Sequence, residues 1–194
     1  MLVLKGNLIL KRGGLRVGEA IADFQKAAAL SPTHEPTQIA LARTRIFARQ
    51  YGLAAEGLKE LAKTAQGAAA MRGYALERGD VPLKAAEAYS SLTDPLGPVL
   101  AARALVAGKE FSKAHEAIGK AKELTGADRA AAKIFEALAL EGKGRKKQAF
   151  DVLDLAVAEG REIPYPRLFR GAMRLRQGGD AKTALSDIQK GNRL

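Results

Sequence analysis

Apolar residues recur along this chain with a helical period, in short runs that turn residues separate. Between Glu19 and Pro32 the apolar positions fall at 20, 21, 24, 27, 28 and 30, one face of a 3.6-residue period, and Ser31-Pro32 ends the run. An earlier run holds Leu2, Leu4, Leu8, Ile9 and Leu10 and is interrupted by Gly13-Gly14. Further down, the breaks fall at Gly79-Asp80, Gly108, Gly142–Gly144 and Gly178-Gly179-Asp180. The pattern predicts paired helices: 2–12 with 17–30, 36–49 with 53–64, 67–78 with 82–92, 96–107 with 111–124, 128–142 with 145–159, and 165–177 with 180–191.

The second helix of each pair carries a small residue, a large one four positions on, and another apolar one three later. Ala20, Phe24 and Ala27 show it first, with Pro32 five residues beyond. Ala85, Tyr89 and Leu92 follow, then Ala114, Ile118 and Ala121, then Ala149, Leu153 and Ala156, then Ala184, Ile188 and Gly191. The steps from Ala114 to Ala149 and from Ala149 to Ala184 are both 35 residues. The step from Ala85 to Ala114 is 29, which implies a shortened loop or helix around Asp94-Pro95. Between Pro36 and Met71 the repeat is degenerate: Ala54, Leu58 and Leu61 fit one register, Gly57 and Leu61 another. Small residues let two helices approach closely, and the large residue fills the groove between them. One pair cannot bury both of its faces, so such units stack.

The series Ala20, Phe24, Ala27, Pro32 resembles helix B of the tetratricopeptide repeat, and Gly6-Asn7 resembles the Gly-Asn of that family's helix A. The 35-residue steps lie close to the family's period of about 34. The turn Gly13–Gly18 is longer than the family's. The resemblance implies an all-α, right-handed superhelical solenoid of about six antiparallel helix pairs. It implies one repeat domain over 1–194, with repeats near 1–34, 35–66, 67–95, 96–127, 128–163 and 164–194. It also implies that the first helices (A helices) line a concave groove. Aligned on Gly6, Gly73, Ala102, Ala137 and Gly171, the groove receives Asn7, Lys11, Arg43, Tyr74, Arg78, Arg103, Leu138, Phe169 and Arg176. One groove class of the family clamps a chaperone's terminal carboxylate with Lys and Asn on successive A helices. Asn7 matches one such place, but the next repeat offers Arg43 and no second Asn, which argues against that class. Ala- and Gly-rich arrays of this kind are also similar to bacterial repeat proteins of the cell envelope.

Composition narrows the chemistry. Hydrophobic residues make up 47% of the chain, too many for a disordered tail. Aromatics are only 5%, with no Trp, which suits closely packed Ala-rich helices better than a β-sandwich. Cysteine is absent, which excludes disulfides and thiolate chemistry and fits cytoplasm or periplasm alike. No apolar run is long enough to span a membrane, and Met1–Gly6 lacks the pattern of a signal peptide. His34 and His115 have no metal-ligand spacing. Gly178–Thr183 lacks the glycine before lysine that a phosphate loop requires, and Gly142–Lys147 lacks the hydroxyl residue. Asp151 and Asp154 share a helix face, as surface carboxylates commonly do. The sequence therefore offers no catalytic residue, metal site or cofactor, and reads as a non-enzyme.

Charge then points to a partner. Thirty-two Lys and Arg against 21 Asp and Glu give a net charge of +11 and a pI near 10.0. Arginine grips carboxylate or phosphate through its planar fork. The expectation is an interaction scaffold within a larger assembly, holding an acidic partner protein or peptide in a basic groove. The alternative is a binder of an anionic polymer, exopolysaccharide or nucleic acid. The shortage of aromatic stacking platforms speaks against nucleic acid. The sequence opens within an A helix and stops just after a B helix without a polar capping helix. That predicts a piece of a longer array, or self-association through uncapped ends.

Overall fold

A computed structural model describes residues 16–194. Asn7, Lys11 and the helix expected over 2–12 lie outside the described residues. Within them are eleven α-helices and no strand: α1 (Val17–Leu30), α2 (Glu35–Phe47), α3 (Tyr51–Gly57), α4 (Gln66–Arg78), α5 (Pro82–Ser90), α6 (Gly97–Ala107), α7 (Phe111–Gly119), α8 (Gly126–Gly142), α9 (Lys146–Glu159), α10 (Pro164–Arg176) and α11 (Ala181–Asn192). Proline occupies the first or second position of α2, α5, α6 and α10, where its missing N–H costs nothing and its fixed φ starts the helix.

Nine of the expected helices appear within two residues of their expected ends, and two are cut short. The one expected over 53–64 ends at Gly57 and is followed by a single 3-10 turn, Leu61–Lys63. Ala54 and Leu58 are buried while Gly57 is exposed, which selects the first of the two registers. The helix expected over 111–124 ends at Gly119, leaving Ala121 in an irregular segment before α8.

The chain divides at Thr93/Asp94 into two compact units. The first, in its described part, contains α1 and the hairpins α2/α3 and α4/α5; the second contains the hairpins α6/α7, α8/α9 and α10/α11. In the first unit Ala20, Phe24, Ala28 and Leu41 form one core cluster. Ala42, Ala54, Leu58, Ala68 and Ala75 form the next. In the second unit the largest cluster gathers Ile134, Leu140, Leu153 and Met173 around Ala137 and Ala149.

Close approach inside the hairpins depends on missing Cβ atoms. A Cβ on Gly73 of α4 would lie 2.6 Å from the ring of Tyr89, which α5 buries to 2% exposure. A Cβ on Gly171 of α10 would lie 2.8 Å from both Ile188 and the Ala184 carbonyl oxygen of α11. Successive hairpins are keyed in the same way. Tyr51, opening α3, sits against Gly79 at the end of α4, and Phe111, opening α7, lies with its ring across Gly142 at the end of α8.

All five described hairpin turns share one backbone solution. Arg49, Asp80, Lys109, Gly144 and Gly178 each adopt a left-handed conformation, φ between 58° and 75°. The next residue then donates its N–H to a carbonyl five residues back: Gln50 to Arg45, Val81 to Leu76, Glu110 to Leu105, Arg145 to Leu140 and Gly179 to Arg174. These are Schellman closures, which satisfy the carbonyls a helix end leaves open. Only the last turn differs in length, because Gly179 and Asp180 both precede α11.

Candidate functional site

In the first unit the two A helices, α2 and α4, lie side by side, with Gly67 of α4 against Glu35 and Ile39 of α2. Their outward stripes carry Arg43 and Phe47 on α2, and Tyr74 and Arg78 on α4. Phe47 is 68% exposed and Tyr74 44%. Arg43 is exposed, with no carboxylate in ion-pair range among the described residues. Arg78 is also exposed, and its guanidinium lies 5.9 Å from the centroid of the Tyr51 ring, within cation–π range. Three of the residues the sequence singled out, Arg43, Tyr74 and Arg78, therefore share an open surface, and Phe47 joins them unforeseen.

The second unit treats its A-helix residues differently. Arg103 on α6 is half-buried. Leu138 and Phe169 pack beside the cluster of Ile134, Leu153 and Met173, so they serve the core rather than lie open as groove residues. Arg176 remains exposed, but its Nη2 donates to Glu141 Oε2 at 2.8 Å. Gln177 donates to the other Glu141 oxygen at 3.2 Å. The charge of Arg176 is thus matched within the chain.

Sequence reasoning missed the densest polar site. Asp187 on α11 is only 5% exposed, and two arginines of α10 converge on it. Arg170 donates from Nε at 2.9 Å and from Nη2 at 2.5 Å, a bidentate grip, and Arg174 donates from Nη1. Arg170 reaches further, to Asp154 of α9 at 2.7 Å. These contacts raise the Arg170 pKa above its ordinary value, chiefly through the bond to Asp187 and against the opposing effect of burial. The signal in the sequence was an aspartate on the apolar face that Ala184, Ile188 and Gly191 define. Of the two carboxylates Asp151 and Asp154 on one face of α9, Asp154 is thus engaged by Arg170.

The remaining candidates are local. His34 is exposed and precedes α2, with Nδ1 2.7 Å from the Thr37 hydroxyl. His115 is half-buried on α7. Among the described residues no group of three or more His, Cys, Asp or Glu is placed to hold a metal ion, and no helix is long and apolar enough to cross a membrane. A cleft of about 230 Å³ opens beneath the irregular segment after α7, lined by Ile118, Leu124, Arg129, Lys133 and Glu136. Its two cations are engaged, Arg129 with the Leu124 carbonyl at 2.9 Å and Lys133 with Glu159 at 3.6 Å.

No protein-family model and no curated protein sequence matches the chain. Solved structures do. A tetratricopeptide repeat protein from Parabacteroides merdae superposes with a TM-score of 0.74 at 13% identity, over 97% of this chain and 77% of that one. MamA from Desulfovibrio magneticus gives 0.58 at 17% identity, over 100% and 92% of the two chains. The Cut9–Hcn1 hetero-tetramer of the APC/C gives 0.60 at 16%, over 98% of this chain and 42% of that one. Identities this low speak to fold and not to ligands. The helix pairing, the glycine-keyed hairpins and these superpositions agree: the fold is a helical repeat of the tetratricopeptide type.

Proposed function

We propose that the chain is a protein-interaction scaffold that holds a partner protein or peptide against the basic, outward faces of its A helices, within a larger assembly. The observation that carries this reading is the pair Arg43 and Arg78, exposed on neighbouring A helices of the first unit with no carboxylate of the described chain against either. A charge left unmatched on a rigid helical face is available to a ligand, whereas Arg176, tied to Glu141, is not. The net charge of +11 adds long-range attraction for acidic partners.

The test is capture of partners from lysate, with and without nuclease, across a salt series. Proteins retained after nuclease treatment support the scaffold, and retention should fall as salt rises because exposed charges are screened over about 8–10 Å. Reversing Arg43 and Arg78 together should weaken capture far more than reversing Lys146 and Lys147 at the start of α9. Equal losses would mean that the positive charge acts diffusely. Loss of all capture on nuclease treatment would favour the anionic-polymer reading instead.

A further inference from the structure

We propose that the face shared by α2 and α4 recognises a protein segment that carries two carboxylates on either side of one large apolar side chain. This rests on the scaffold reading and names the partner that the first unit selects.

Ala42 of α2 and Gly73 of α4 are both buried. Each lies twelve residues before the buried alanine of its partner helix, Ala54 and Ala85. The two A helices are therefore in equivalent register, and Arg43 corresponds to Tyr74 as Phe47 corresponds to Arg78. Along each helix the members are four residues apart and share a face. Cation and ring thus alternate in both directions, with an arginine at two opposite corners of the patch and an aromatic ring at the other two.

That arrangement is selective. Packed helices run about 8–10 Å apart and one turn rises about 5–6 Å, so the two arginines are separated diagonally by roughly 10–11 Å. In an extended chain the two carboxylates and the apolar residue between them share one face at positions i, i+2 and i+4, about 13 Å end to end, a span that the flexible arginine side chains can meet. The rings then flank the segment's middle, where Phe47, at 68% exposure, offers apolar surface that a purely charged polymer cannot use. Arg78 is held ready by its stacking on Tyr51, which reduces the side-chain freedom lost on binding. A uronate chain presents charge at every unit and no large apolar side chain for the rings to meet. A single-stranded nucleic acid, by contrast, would stack bases on them, which makes an oligonucleotide the discriminating competitor. The second unit lacks the pattern: the residues after Ala102 and Ala137 are Arg103, half-buried, and Leu138, packed beside the core.

The experiment is fluorescence anisotropy with the full chain and a labelled nonapeptide carrying two glutamates that bracket one phenylalanine. Two analogues replace the phenylalanine with serine or both glutamates with glutamine, and an oligothymidylate serves as competitor. The proposal expects each analogue to bind about tenfold more weakly, and Arg43→Glu/Arg78→Glu and Phe47→Ala/Tyr74→Ala to weaken the parent peptide by a similar factor. All four positions are at the surface, so helicity should be unchanged by circular dichroism, and Lys146→Glu/Lys147→Glu should bind normally. No binding of the parent peptide, equal binding of the serine analogue, or displacement by oligothymidylate at lower concentration than by unlabelled peptide would each overturn the proposal. If nuclease-resistant partners are captured, and capture is weakened by the Arg43/Arg78 variant but not by the Phe47/Tyr74 variant, this inference falls and the scaffold reading stands. If the peptide binds as described while no protein is captured from lysate, the reverse holds.

Discussion

Replacing Asp187 with asparagine removes one charge and leaves two guanidiniums facing each other across a nearly closed site. In the native arrangement Arg170 grips both carboxylate oxygens and Arg174 takes one of them. The two arginine side chains are only 17% and 24% exposed, so water cannot readily replace the lost anion. Removing one partner of a buried ion pair costs about 3–5 kcal/mol, and the residual exposure of the arginines argues for the lower end. The consequence should be local, because α11 has little else to hold it. Apart from Asp187 it buries only Ala184 and Gly191, with Ile188 half-buried. Three kilocalories correspond to roughly a hundredfold in an opening equilibrium. Native-state hydrogen exchange should therefore show amides of α11 losing about two decades of protection while those of α8 change little. A cost below about 0.5 kcal/mol would show that the cluster is solvated rather than structural, and equal loss in α8 and α11 would show that the second unit opens only as a whole.

Other expectations follow from particular contacts. Gly73→Ala gains helix propensity but drives a methyl into the ring of Tyr89; a net loss of about 1–3 kcal/mol in urea denaturation is expected, and Tyr89→Leu in the same chain should recover part of it. Ala149→Leu, at a fully buried hairpin contact, should cost about 1–3 kcal/mol through overpacking, read as a lower urea midpoint at unchanged slope. Asp180 begins α11 by accepting the Thr183 hydroxyl and the N–H groups of Thr183 and Lys182, and these bonds hold its carboxyl below the ordinary carboxylate pKa. A depressed folded-state pKa stabilises fully above the unfolded value and is lost as pH falls through the folded one, so protection of α11 should decline in acid, and Asp180→Asn should flatten that dependence.

Much of the fold was legible because its determinants are local. The small–large–small spacing, with glycines between helices, marks each hairpin within a window of about 34 residues, the span of a single repeat. The two misjudged helices, α3 and α7, end where the chain continues with residues of adequate helix propensity, Leu58-Lys59-Glu60 and Lys120-Ala121-Lys122. Propensity is a weak prior there, and tertiary packing decided the ends. The site was less legible. Which arginines stay open depends on carboxylates remote in sequence: Glu141 lies 35 residues from Arg176, and Asp187 lies 17 from Arg170. Alignment within a repeat could place Arg43, Arg78 and Arg176 on one kind of face, but it could not show that Arg176 already has its anion. Nor could it show that Leu138 and Phe169 turn inward. Phe47 escaped notice because its degenerate repeat supplied no anchor residue for the alignment, although it occupies the position that Arg78 and Arg176 hold in theirs.

The left-handed residue in each hairpin turn has a consequence for how such a chain can change. Glycine fills that position twice, whereas Arg49, Asp80 and Lys109 hold it at a conformational cost of about 1–2 kcal/mol each. In every case the turn closes with the same hydrogen bond and feeds a helix of the same kind. The backbone is thus a common socket, and the side chain mounted in it is exchangeable: a cation in two turns, an anion in one, nothing in the last two. Substitution there can redraw the charge along an edge of the hairpins while the packing beneath is left alone. Asp80→Lys should carry the charge that Lys109 holds to a new hairpin and leave both helices where they were.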